Sequence, residues 1–336
     1  MAIATITART LGQMPDLILR ECGERALERT FAAAKLPLHL IEDRNYFIPQ
    51  ISLKAFVAEG SRLLGDRDIG LLAAPVLSVT DYGLWSDYVL TAPTLGGALQ
   101  RAREAVTLHA SGDCVALEPR GNHMRFTYRF AESRGEDYDN VAFVAASIML
   151  SIVRAYAGSG WRPQWLEFNI APRRSVQRIE DTFGCIAKLG AETVAFPVPV
   201  RMLAMQRPPR RVTDVVSMED VMRERLRRPP ATLVDAVSEQ IRLRIREGQP
   251  LLDDVALALG MGPRTLQRAL DADGIGFRSL AGRLKIERAK ELMRLPDMSV
   301  TRVSLELSYS TPANFARAFQ RETGVPPGLF LSKLPG

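Results

Sequence analysis

Cysteine and histidine are scarce in this chain of 336 residues, with three of each. Cys22, Cys114 and Cys185 stand far apart and no Cys-X-X-Cys pair occurs. That spacing supports neither a zinc site nor a disulfide framework, and it suits a reducing compartment. His39, His109 and His123 show no metal-ligand spacing, so each is read as a satisfied or surface side chain. A phosphate loop, a nucleophile elbow, a zinc-protease helix and a dinucleotide fingerprint are all missing. Asp271 and Asp273 precede Gly274 as in a calcium loop, but the downstream glutamate pattern is absent. The expectation is a protein that is not an enzyme, with no cofactor and no metal. Met1 to Thr10 lacks the apolar core of a signal peptide. The longest apolar stretch, Val141 to Val153, contains Ser147 and Ser151 and is too short to span a bilayer. A cytoplasmic protein without a membrane partner is expected.

Hydrophobic residues make up 46% of the chain and charged residues 24%, values of an ordinary globular protein, and the length suits two domains. The net charge is +6, and residues 1–200 carry 21 Lys/Arg against 22 Asp/Glu. All the positive excess therefore lies beyond residue 200, as a polyanion partner at one end of the molecule would require, although a solvated basic surface gives the same count.

Two Pro/Arg segments, Arg207-Pro208-Pro209-Arg210-Arg211 and Arg227-Arg228-Pro229-Pro230, cannot continue a helix or central strand. Residues 206–230 are accordingly read as a linker, with a short helix from Val215 to Leu226, between a domain at 15–205 and another at 231–336. The first mixes helices and strands. Thr94 is placed to cap a helix from Leu95 to about Ala110. Cys114 to Glu118 and His123 to Phe130 form a hairpin about Gly121-Asn122, and the second run alternates. Met124, Phe126, Tyr128 and Phe130 take one side, and His123, Arg125, Thr127 and Arg129 the other. Asp139 to Tyr156 is apolar nearly all round and predicts a central helix. Trp165 to Ile170 and Thr193 to Phe196 read as strands, and Ser175 to Phe183 as a helix. Trp85, Trp161 and Trp165 either wall a pocket or belong to the core, and Cys114 is read as packing. An apolar pocket of roughly 300–1,000 Å³ is expected between the hairpin and the 139–156 helix.

From Leu233 onward the pattern is helical, and it contains a repeat. Pro263, Leu266, Arg268, Ala269 and Leu270 recur 49 residues later as Pro312, Phe315, Arg317, Ala318 and Phe319. Each copy reads as helix, turn, helix. In the first, Asp253 to Leu259 turns Val255, Ala256 and Leu259 inward, Gly260 breaks the helix, and Gly262-Pro263 starts the next. In the second, Ser299 caps a helix with Val300, Val303 and Leu307 inward, Ser308 to Ser310 turn, and Thr311-Pro312 restarts. Leu266 and Leu270 pack inward, leaving Arg264, Gln267 and Arg268 on another face at i, i+3 and i+4. Phe315 and Phe319 pack likewise, leaving Ala313, Arg317 and Arg321 outward with Asn314 beside them. Arg and Gln form bidentate hydrogen bonds to base edges. Phe277 to Leu295 reads as one helix with Leu280, Leu284, Ile286, Ala289 and Leu292 buried, ended by Pro296. Its length of roughly 28 Å is close to the roughly 34 Å between successive major-groove faces.

The segments LLDDVALALGMGPRTLQRALDADGIGF, RLKIERAKELM and FARAFQRETGVPPGLF, over about 250–330, resemble the AraC/XylS family of transcription regulators. The resemblance implies that Arg264, Gln267 and Arg268 meet bases in one groove and that Pro312, Ala313 and Arg317 form the second reading surface. Thr265, Thr311, Asn314 and Arg321 complete the candidate DNA-binding set. The chain departs from the pattern at Ser308-Tyr309, where the family has Gly-Phe, at Ser304 for Ala, and at Lys285 for Arg. LGDRDIGLL, YGLWSDYVLTAPTLGGALQRA, WRPQWLEF and FGCIAKLGAETVAFPVPV resemble the effector domain of the subgroup that lacks a cupin barrel, the arabinose-binding-like type. That implies a small-molecule sensor, whose effector-binding residues stay unassigned.

The expected fold is thus an α+β N-terminal sensor domain followed by an all-α DNA-binding domain with two helix-turn-helix units joined by a long helix. The expected partners are double-stranded DNA, a small-molecule effector, a second copy in a homodimer, and RNA polymerase. The rivals are a constitutive DNA-binding regulator whose N-terminal domain only dimerises, and an enzyme fused to a DNA-binding module.

Overall fold

The computed structural model describes residues 3–65, 67–133, 135–172, 176–207, 216–224 and 229–333. Ser175, the Pro208-Pro209-Arg210-Arg211 run, Val215 and the stretch from Arg225 to Arg228 lie outside them. The chain divides into two compact units, Ile3–Ala231 and the stretch from Thr232 onward.

The first unit begins with β1 (Thr5–Thr7), α1 (Met14–Cys22), α2 (Glu24–Ala33), β2 (Phe47–Pro49), α3 (Gln50–Leu63), α4 (Ile69–Ala73), α5 (Leu84–Leu90) and α6 (Leu95–Ala105). β1 and β2 pair antiparallel. α6 starts where expected, with the Thr94 hydroxyl accepting from the Gly97 amide at 3.2 Å. It tightens into a 3-10 turn at Val106–Leu108, short of Ala110.

β3 (Cys114–Arg120) and β4 (His123–Arg129) form the predicted hairpin, followed by α7 (Asp139–Ala157), β5 (Trp165–Phe168), α8 (Val176–Phe183), β6 (Ile186–Leu189), β7 (Val194–Pro199) and α9 (Met218–Glu224). The five-stranded sheet runs β3-β4-β7-β5-β6. β4 lies inside it, paired to β3 and β7. Phe126, Tyr128 and Phe130 are buried as the alternation predicts, and Thr127 on the opposite face is buried too. Cys114 is exposed rather than packed, because alternation on the edge strand turns its neighbour Val115 inward. β7 extends beyond Phe196 through Pro197 and Pro199, positions that β5, paired to β7 at Ala195, does not reach. A proline is tolerated where no ladder partner needs its N–H.

α7 is the core of this unit. Most of its residues are buried, including Phe143, Leu150 and Val153 at 0% exposure, which is why a helix apolar enough in composition to cross a membrane packs inside a globular unit instead. It lies on α3, α4 and α6. Gly70 allows the close crossing with α4: a Cβ there would sit 2.5 Å from the Asn140 carbonyl oxygen, and the Gly70 amide donates to Asn140 Oδ1 at 2.9 Å. Within the 206–230 stretch, α9 packs on α5 through the fully buried Val221, and Arg207 Nη1 donates to the Leu90 carbonyl at 2.7 Å.

The second unit is helical: α10 (Leu233–Ile245), α11 (Leu252–Ala258), α12 (Pro263–Ala272), α13 (Phe277–Leu292), α14 (Val300–Glu306), α15 (Pro312–Thr323) and α16 (Pro327–Ser332). Thr232 and Asp235 make a reciprocal capping box at its start. α13 packs against α10, α14 and α15 and buries Leu280, Leu284, Ile286, Ala289 and Leu292 as predicted. It spans 16 residues, about 24 Å rather than 28 Å. The difference is physical: Arg294 and Leu295 make i→i−3 bonds to Glu291 and Leu292 at 3.1 and 3.0 Å, closing the helix before Pro296, whose ring disfavours a helical residue ahead of it.

Candidate nucleic-acid interface and apolar cavity

The two helix-turn-helix units share one backbone plan. At the end of α11 the Met261 amide donates to the Ala256 carbonyl at 2.8 Å, and at the end of α14 the Tyr309 amide donates to the Ser304 carbonyl at 3.0 Å. These are equivalent helix-terminating bonds. The residue that turns the chain is left-handed in both, Gly260 with φ 67° and Ser308 with φ 54°. Pro263 and Pro312 then open α12 and α15, where their missing N–H costs nothing.

Packing fixes which way each second helix faces. Leu266 and Leu270 of α12 and Phe315 and Phe319 of α15 are fully buried. Phe319 lies between Phe315 and Phe330, with centroids 5.6 and 5.4 Å away. Opposite them, Arg264, Thr265 and Arg268 of α12 are exposed and Gln267 is half-buried. No ion pair or hydrogen bond engages the guanidinium group of Arg264 or Arg268 among the described residues, whereas Gln267 Nε2 donates to Asp271 Oδ1 at 2.8 Å. On α15, Thr311, Pro312, Ala313, Arg317 and Arg321 are exposed and Asn314 is half-buried. The Thr311 hydroxyl is occupied as a cap, accepting from the Asn314 amide at 3.1 Å. Asn314 Nδ2 donates to Ser310 Oγ at 2.7 Å, and Arg317 donates to Asn314 Oδ1. Arg321 lies near Glu322 at 3.5 Å. Arg264, Thr265 and Arg268 of α12 and Pro312, Ala313, Arg317 and Arg321 of α15 thus lie on solvent faces, with Gln267 and Asn314 half-buried beside them.

Lys285 is a contact that motif reasoning noticed only as a departure. Its Nζ donates to the Leu307 carbonyl at 3.0 Å and lies 5.3 Å from the Tyr309 ring centre. Burial pushes its pKa below the ordinary lysine value. This bond ties α13 to the turn that launches α15.

The first unit holds a cavity where one was expected, between the hairpin and α7, with about 60 Å³ of free volume. That is smaller than expected. Phe126, Tyr128 and Phe130 of β4 form one wall and Val141, Val144, Ala145 and Ile148 of α7 another. Tyr82, Trp85 and His109 close a third, their ring centres 4.8 to 6.0 Å apart. Of the three tryptophans only Trp85 lines it, with Nε1 donating to the Ala105 carbonyl at 2.8 Å. Trp161 lies against Phe196 and Trp165 under the Lys188 amine. Sequence reasoning missed Thr10, whose buried hydroxyl lines the cavity without a hydrogen-bond partner. Tyr128 donates its proton to Asp113, which also accepts from Gln50 Nε2 at 2.6 Å and the Ala131 amide at 3.0 Å. Burial, against these bonds, raises the Asp113 pKa above the usual carboxylate value. Burial and the neighbouring Asp113 hold the Tyr128 phenol far above its own.

Residues 25–206 match the family described as the arabinose-binding domain of AraC transcription regulator, and residues 255–333 match a helix-turn-helix domain. The chain belongs to the AraC family of transcription regulators. Among its relatives, an uncharacterised helix-turn-helix transcriptional regulator of Mycobacterium tuberculosis is 41% identical over 78 residues, 23% of each chain. The transcriptional activator NphR of a Rhodococcus species is 30% identical over 94 residues, 28% of each. The matched segment thus spans about a quarter of the length of these relatives. The transcriptional regulator CdpR from Pseudomonas aeruginosa aligns over 92% of this chain and 97% of its own, at 19% identity and a TM-score of 0.36.

Proposed function

We propose that this AraC-family chain is a sequence-specific, DNA-binding transcription regulator controlled by a small-molecule effector in its N-terminal unit. It acts in the cytoplasm as a homodimer, with RNA polymerase as a further partner. The observation that carries DNA binding is the pair of like-built helices, α12 and α15, whose solvent faces bear Arg264 and Arg268 and then Arg317 and Arg321. The proposed base-reading set is Arg264, Thr265, Gln267, Arg268, Pro312, Ala313, Asn314, Arg317 and Arg321, with Thr311 setting the start of α15. The cavity beside α7 supports a sensor over a unit that only dimerises, since a close-packed core leaves few voids larger than a water.

The test is selection of random duplexes by the full-length protein, followed by salt titration on the enriched site. The expected result is a defined sequence whose affinity falls steeply with salt, as displacement of counterions requires. Equal affinity for enriched and random duplexes overturns the proposal.

A further inference from the structure

We infer that the cavity of the N-terminal unit takes a small, flat, uncharged ring compound carrying one or two hydrogen-bonding groups, and not a sugar. The inference rests on the proposal that this unit is a sensor, and it concerns the chemistry of what is sensed.

The walls decide the charge. No Lys, Arg, Asp or Glu lines the cavity among the described residues. The carboxylate behind it, Asp113, is already engaged by Tyr128, Gln50 and the Ala131 amide. A charged ligand would lose its water with no carboxylate, ammonium or guanidinium group in the wall to replace it. The polar inventory decides the number of hydrogen bonds. The Tyr128 proton and the Trp85 N–H are both committed within the protein, and Tyr82 and His109 bring a further hydroxyl and an imidazole to the wall. Thr10 is 5% exposed and its Oγ1 is buried without a partner. That hydroxyl both donates and accepts, so it answers one polar group on a ligand. A pentose would bring several hydroxyls to a wall made of Val, Ile and Phe and leave most of them unanswered. The shape follows from the aromatic wall of Tyr82, Trp85 and His109, whose faces suit stacked or edge-on rings. The size follows from the free volume of about 60 Å³, on the order of four waters' worth of space, which suits one or two small rings.

The experiment is isothermal titration calorimetry of the full-length protein at neutral pH with indole, p-cresol, toluene, benzoate and L-arabinose. Two variants accompany it: Thr10→Val, which removes the hydroxyl at nearly constant shape, and Ala145→Leu, which fills the cavity from α7. Indole and p-cresol should bind saturably, while benzoate and L-arabinose give no heat of binding. Thr10→Val should weaken p-cresol about five- to tenfold, the worth of one neutral hydrogen bond, and leave toluene unchanged. Ala145→Leu should abolish binding of both. Binding of L-arabinose or benzoate, lost in Ala145→Leu, overturns the ligand class and leaves the sensor standing. Equal weakening of p-cresol and toluene by Thr10→Val overturns the role of Thr10. If none of the compounds binds, the ligand class falls; the sensor falls with it only if Ala145→Leu also leaves expression from the protein's target promoter unchanged.

Discussion

Arg268 and Ser308 show how single residues divide the labour of the second unit. Arg268 sits on the solvent face of α12 with its guanidinium uncommitted, so replacing it removes a contact without disturbing the fold. Arg268→Ala should cost about 1–3 kcal/mol on the cognate site and relax discrimination at one position. Competition titrations against cognate and random duplexes check this, and equal losses on both would reduce Arg268 to a phosphate contact. Ser308 works on stability instead. It occupies the left-handed turn position that Gly260 fills in the first unit, and a residue with a Cβ is strained there. Ser308→Gly should stabilise the protein by about 1 kcal/mol, and Gly260→Ala should destabilise it by a similar amount; denaturant melts of the two variants should move in opposite directions. Asp113 gives a prediction in pH. Its folded pKa is raised by burial, so the folded state holds that proton more tightly than the unfolded chain. The contribution to stability is complete below the unfolded pKa and is lost as pH rises through the folded one. Asp113→Asn keeps acceptors for Gln50 and Ala131 and lets the Tyr128 hydroxyl accept instead. The variant should therefore gain stability relative to the parent as pH climbs from about 4, and a pH-independent difference in denaturation midpoint would refute this.

At the scale of elements, legibility tracked how much of the pattern was local. The hairpin, α7 and both helix-turn-helix units were readable because their periodicity, caps and turn residues lie within a short stretch: Thr94 and Ser299 as caps, Gly121 in the turn, Pro263 and Pro312 as helix starts. The candidate reading faces followed from the same spacing. β6 was not readable. It has only four residues, Ile186 is 61% exposed, and what makes it a strand is parallel pairing with β5, a non-local fact. Ahead of Thr94 no local pattern is strong enough to predict an element, although Leu17, Ile18, Leu27 and Phe31 are buried on α1 and α2. These helices are short and interrupted at Gly23, so neither sustains a long period. The cavity was placed correctly from the apolar α7 facing β4. Thr10 and His109 reach it only through tertiary folding, and no local signal marks them.

At the scale of the molecule, the proposed effector control requires that binding in one unit alter the other. α9 belongs with the N-terminal unit through Val221 on α5, and α10 begins at Leu233 behind the Thr232 capping box. The segment joining these two fixed points runs from Arg225 to Ala231 and contains Pro229 and Pro230. Adjacent prolines favour an extended, semi-rigid chain, whereas Gly/Ser sequences behave as flexible coil. If this short segment transmits the signal, its stiffness is the means. Linkage adds a constraint: an effector that strengthens operator binding must itself bind more tightly to the protein–operator complex, by the same factor. Replacing residues 225–231 with Gly/Ser of equal length should leave intrinsic operator affinity and effector affinity nearly intact while shrinking that shared factor toward one. Titrating effector with and without operator, and operator with and without effector, measures the factor twice. Coupling that survives the replacement undiminished would assign transmission to a route other than this segment, because the tether would then have lost its stiffness without losing its effect.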